Sequence, residues 1–128
     1  MKGLSRYSDH AYALMRIAAG LMFSFHGAQK LFGILGTPWP PANLQMWAAG
    51  VIEFAGGVAI MLGIGTRLAA FLASGEMAVA YFQVHWKFQL NDQIFPIMNR
   101  GELAALYCFV FLYIATRGAV KWHLGKSR

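Results

Sequence analysis

The stretch HAYALMRIAAGLMFSFHGAQKL, residues 10–31, decides how the rest of the chain is read. It is a nearly continuous apolar run as long as a membrane-crossing helix, which needs about 20 such residues. Arg16 interrupts it, and His26 and Lys30 follow one helical turn apart. A lysine at the end of an apolar helix can reach water. An arginine and a histidine further in need partners, because a charge in hydrocarbon costs at least about 2.5 kcal/mol on insertion scales.

Composition points the same way. Of the 128 residues, 58% are hydrophobic and only 12% charged, with a mean hydropathy of +0.46, whereas soluble domains carry about 25% charged residues. Lipid is therefore the expected solvent, and the length suits one domain, residues 1–128, of about four spans. The net charge of +6 does not indicate nucleic acid, because the basic residues lie at the ends of apolar segments rather than in one patch. Trp39, Trp47, Trp86 and Trp122 also fall near segment ends, where indoles favour the lipid–water interface. Cys108 is the only cysteine, which excludes an internal disulfide and a Cys-x-x-Cys redox pair. Lys2 and Arg6 precede an apolar run too long for a signal peptide, so an uncleaved first span is expected.

Four apolar segments stand out, at approximately 10–31, 44–62, 66–86 and 101–117. Together they predict an all-α, integral membrane four-helix bundle. GILGTPWPPAN separates the first two, its prolines and glycines forbidding a continuous helix. Gly-Ile-Gly joins the second and third as a tight antiparallel hairpin, and KFQLNDQIFPIMNR joins the third and fourth. Seven basic residues (Lys2, Arg6, Arg67, Arg117, Lys121, Lys126, Arg128) fall on the side of the termini, against Lys30, Lys87 and Arg100 on the other. The positive-inside rule places both termini in the cytoplasm.

Helical periodicity predicts which faces point inward. Arg16, Gly20, Phe23, Gly27 and Lys30 form one stripe, with His26 at its edge. The later stripes are Met46, Ala49, Gly50, Glu53, Gly57 and Ile60; then Ala69, Ala73, Glu76, Ala80 and Gln83; then Glu102, Leu106, Phe109, Tyr113 and Thr116. Small residues beside each charge allow helices to approach closely in lipid. Counted from the cytoplasmic end, Arg16 lies roughly 10 Å in, and Glu53 and Glu76 each roughly 15 Å in. These levels predict an intramembrane charge network of Arg16, Glu53 and Glu76, either locking the bundle or leaving one acid free to carry a proton. His26, Lys30 and Glu102 lie near the opposite surface. They either act as surface and stapling residues or form a polar pocket walled by Phe23, Phe32, Trp39 and Phe109, which would suit a quinone head group. His85 falls about 180° from Glu76 on its own helix, away from His26, so neither haem nor a metal is expected.

Arg16-x3-Gly20-x2-Phe23-x2-His26-Gly27-x2-Lys30-Leu31 is followed by Glu53 with Gly56-Gly57, Leu62-Gly63, Thr66-Arg67 and Ala69-Ala70, then Gly101-Glu102, Gly118 and Trp122. This pattern resembles the DoxX family of small four-span membrane proteins from about residue 10 to 124. The family's Ser-Leu-Asp ending is His123-Leu124-Gly125 here, so its C-terminal acid has no counterpart. The resemblance implies a redox-associated subunit in a bacterial-type plasma membrane that engages quinone or supports a partner oxidoreductase. Its partners would be the lipid bilayer and either further copies of itself or a membrane oxidoreductase complex. The alternatives are an accessory structural subunit without a ligand and a small proton-coupled carrier using Glu53 and Glu76.

Overall fold

A computed structural model describes residues 1–126; Arg128, one of the seven basic residues counted above, lies outside the described residues. The described chain is helical throughout. A short α1 (Lys2–Ser5) precedes α2 (Ser8–Phe32), α3 (Leu44–Leu62), α4 (Thr66–Ala80), a π-helical turn (Tyr81–Trp86), a 3₁₀ turn (Asp92–Ile94), α5 (Pro96–Asn99) and α6 (Glu102–Arg117). The boundaries follow local chemistry. Gly33 (φ +63°) and Gly63 (φ +71°) end α2 and α3 in the left-handed conformation that favours glycine. Asn43 starts α3 by accepting a hydrogen bond from the Met46 amide at 2.9 Å. Among the described residues, only α3 is both long and apolar enough to cross a membrane. The α-helical part of α4 stops at 15 residues and α6 at 16.

The four long helices pack in two tight pairs, α2 on α3 and α4 on α6, with looser contact between α3 and α4. Glycine makes the first pair possible. A Cβ on Gly27 would stand 2.1 Å from the Phe54 amide nitrogen, and one on Gly57 would stand 2.5 Å from that of Ser24. The expected stripes on α2 and α3 therefore do face inward, with Arg16, Gly20, Phe23 and Gly27 meeting Gly50, Glu53, Gly57 and Ile60. The fourth stripe is corrected. α6 buries Ala104, Tyr107, Phe111 and Ile114, while Glu102, Leu106, Phe109 and Tyr113 are exposed. The core is small and aromatic, and large aliphatic side chains such as Leu14, Leu21, Leu68, Leu72 and Leu103 line the outside.

One end of the molecule is tied together by polar contacts. Arg67 caps the end of α6 by donating to the Ala115 (3.1 Å), Thr116 and Arg117 (3.2 Å) carbonyls, a cation placed at the negative pole of that helix. Asp9 pairs with Arg117 at 2.8 Å. The segment after α6 crosses the α3–α4 hairpin, with Leu124 N–H donating to Leu62 O and Gly125 N–H to Gly63 O. The start of α2, the hairpin and residues 118–125 thus share one end, and the loops at 33–43 and 87–101 share the other.

Candidate functional site

The first expected network is replaced by two separate arrangements. Arg16 is completely buried but touches neither Glu53 nor Glu76. Its Nε donates to Ala119 O at 3.1 Å, Nη1 to Ile60 O and Met61 O at 2.6 and 3.0 Å, and Nη2 to Lys121 O and Trp122 O at 2.7 and 2.9 Å. A guanidinium has five N–H donors, and all five are used. The error in the depth count is one of direction. Helical side chains lean toward their own N-terminus, so Arg16 reaches back toward the end of α3 and away from the acids.

The same lean brings Lys30 and Glu53 together. α2 and α3 are antiparallel, so Lys30 leans inward and Glu53 leans outward until Nζ and Oε2 meet at 2.6 Å. The Glu53 side chain is 4% exposed and that of Lys30 21%, so the lysine turns into the protein instead of reaching for the surface. Glu76 on α4 faces this pair. Its Oε2 is buried and meets no donor among the described residues, while its carboxyl lies within hydrogen-bonding reach of Glu53. One ammonium therefore serves two carboxyl groups, and a neutral cluster must hold one further proton.

These groups line a cavity of about 980 Å³ between the helices. His26 stands edge-on to Tyr107, with ring centroids 6.3 Å apart, and Tyr107 stacks on Phe111 at 5.2 Å. Phe23, Ile52, Met77 and Leu103 supply apolar wall. Of the walls expected from the sequence, only Phe23 is present; Phe32, Trp39 and Phe109 are exposed elsewhere. Glu102 is also absent from the cluster. As the first residue of α6 it leans out of the helix start, and it lines a shallow external groove with Phe95, Ile97, Leu106 and Phe109. The site is thus His26, Lys30, Glu53, Glu76 and Tyr107. Nothing in helical periodicity marked Tyr107.

His85 needs a second correction. The helix widens to a π turn at Tyr81–Trp86, which advances the chain by less than 100° per residue. This resets the register, and His85 lines the cavity after all. Among the described residues, no three histidine, cysteine or carboxylate side chains are grouped to hold a metal ion.

Comparison with known proteins agrees with the motif pattern. The family model described as DoxX matches residues 11–86. A protein of Haemophilus influenzae (strain Rd) described as "Uncharacterized protein" is 40% identical over 123 residues, covering 93% of this chain and 91% of its own. A Bacillus subtilis (strain 168) protein described as "Putative oxidoreductase CatD" is 25% identical over 115 residues, covering 83% of this chain and 78% of its own. No solved structure matches.

Proposed function

The chain belongs to the DoxX family, and on that footing we propose that it is a single four-span domain of a bacterial-type plasma membrane whose cavity receives a quinone head group. It acts with a partner oxidoreductase, in keeping with the name carried by the Bacillus relative. The distribution of side chains supports the membrane setting. Arg16 and Glu53 are buried while large apolar side chains are exposed on every long helix, the reverse of a soluble surface, which rarely exposes large apolar patches. The excess of basic residues at the end shared by the termini supports cytoplasmic termini. Reporter fusions at the C-terminus and near Asp92 test the orientation; activity of an external-type reporter at the C-terminus contradicts it.

One observation carries the functional reading: Lys30, Glu53 and Glu76 stand together in a mostly apolar cavity that His26, His85 and Arg100 also line, and Glu76 Oε2 is buried with no donor against it. Small-molecule sites combine apolar walls with a few placed polar groups, and the cavity is large enough for a substituted ring and part of a tail. A bound quinone accepts two electrons, supplied by the partner oxidoreductase, and two protons to become a hydroquinone. Lys30 fixes the Glu53 carboxylate, and its remaining N–H groups can donate to a ring carbonyl. His26 offers ring nitrogens that can donate a hydrogen bond to the head group or accept one from it. Glu76 holds a proton at its carboxyl and exchanges it with the head group. Ile52 and Leu103 give the cavity accessible apolar wall against which a flat ring can pack. The surplus acid also suits a proton-coupled carrier, for which uptake into vesicles would depend on Glu53 and Glu76.

The test is a quinone titration of the protein in lipid nanodiscs. Glu76→Gln should weaken binding several-fold, up to about tenfold, a hydrogen bond between neutral groups being worth about 0.5–1.5 kcal/mol. Glu102→Gln should leave it unchanged. Absence of binding by the wild type, or equal binding by Glu76→Gln, contradicts the reading.

A further inference from the structure

The way into the cavity is itself informative. α3 and α4, joined by their hairpin, pack more loosely than the two tight pairs, and the cavity is lined by residues of both helices. Phe71, Leu72, Gly75 and Val79 of α4 line the cavity and are exposed, as is Ala48 of α3. These residues form an accessible stretch of the cavity wall. The hairpin bounds it at one end. At the other, Gln45 Nε2 donates to Gln83 Oε1 at 2.5 Å, and Gln83 Nε2 donates back at 3.4 Å, an amide bridge from the start of α3 to the π turn. Gly75 sits in this stretch with space around it, since a Cβ built there meets nothing within 4 Å. The adjoining residue is Glu76, whose buried Oε2 meets no donor.

We propose that a gap here between α3 and α4 is a lateral portal, that the ligand is an amphipath with a long hydrocarbon tail, and that the tail leaves the cavity across Gly75, against Phe71, Leu72 and Val79. The proposal rests on the membrane and head-group reading above and adds to it the ligand's class and route. The polar head enters from hydrocarbon, passes below the Gln45–Gln83 bridge and meets Lys30 and Glu76. No water-filled path from either end is required. The residues along the middle of the gap are apolar, and the polar ones, Asn43, Gln45, Gln83, His85 and Arg100, belong to its outer end, which matches a molecule whose tail stays in lipid. Gly75 then sets specificity: any side chain there occupies the space taken by the first part of the tail.

Two measurements on the full chain in nanodiscs test this. The first titrates wild type and Gly75→Trp with a tail-less dimethoxy-methyl-benzoquinone and with the same ring carrying isoprene units. The indole should weaken binding of the tailed quinone about tenfold or more, the loss expected when roughly two methylenes lose their contacts. Binding of the tail-less ring should change less than about twofold on the same scale. Equal effects on both quinones, or none on either, overturn the tail route. The second needs no quinone. A fluorophore on Gly75→Cys, in a Cys108→Ser background, should be quenched by lipids brominated in mid-chain and little affected by aqueous iodide. Quenching by iodide alone overturns the portal. Quenching by brominated lipid when neither quinone binds the wild type sustains the lateral opening and refutes the quinone head group.

Discussion

Arg16 and Lys30 lie on the same face of the same helix, and their surroundings are opposites. Arg16 has five donors, five carbonyl acceptors and no exposed surface. Lys30 has one short ion pair, a second carboxyl group beside it and a cavity of about 980 Å³. A fully satisfied buried charge fixes structure, whereas an incompletely satisfied one with room around it can act on something else. The contrast separates a clamp from a site on one helix, although both residues look alike in the sequence.

Removing the clamp should have the largest effect. Arg16→Met strands several buried carbonyls at once, each costing about 1–3 kcal/mol. Residues 118–125 would lose their hold on the hairpin, and the protein should fail to accumulate in membranes or melt far below wild type in detergent. Arg16→Lys should recover only part, having three donors where five are used. A wild-type melting curve for Arg16→Met would erase the distinction between the two regions.

The acids of the site sharpen the comparison, because they should differ in sign. Glu53→Gln breaks the Lys30 ion pair and leaves Lys30 only the Glu76 carboxyl, which makes no salt bridge to it, so it should destabilise, by at most the about 3–5 kcal/mol of a broken buried pair. Glu76→Gln removes the surplus carboxyl from a cluster that holds one ammonium, so thermal stability should be unchanged or raised while ligand binding falls. Equal destabilisation by the two substitutions would mean that both acids are structural. Gly27→Ala tests the packing that holds the two regions together. Its Cβ would meet the Phe54 backbone at 2.1 Å, so α2 and α3 must separate, at the about 1–3 kcal/mol typical of overpacking. Glu102→Gln should have the smallest effect, within about 0.5 kcal/mol, as for other exposed positions; a larger shift in melting would return Glu102 to a bundle-stapling role.

The sequence made the inward faces of α2 and α3 legible because small residues and charges recur there with the helical period. α6 misled the same reasoning. Its ionisable character points Glu102 inward, but a side chain at the first position of a helix leans away from it, and the buried stripe is Ala104, Tyr107, Phe111 and Ile114. The partners of Arg16 could not be read at all, because carbonyl groups occur at every residue and only the folded path of residues 119–122 gathers them. His85 was hidden by a π turn, which changes the register without a distinctive residue to announce it. Lys30, Glu53 and Glu76 were all visible as candidates. Their grouping required the direction in which each side chain leans, which a helical wheel omits.

Photolabelling addresses the difference between clamp and site most directly. A quinone carrying a photoreactive azide on its ring is irradiated with the protein in nanodiscs, and the modified residues are identified by mass spectrometry. Adducts should fall on the accessible walls of the cavity, at Ile52 or Leu103, and should be displaced by unlabelled quinone. Displaceable labelling confined to the Phe95–Phe109 groove or to the Arg16 clamp, with none in the cavity, would contradict the assignment of the ligand site.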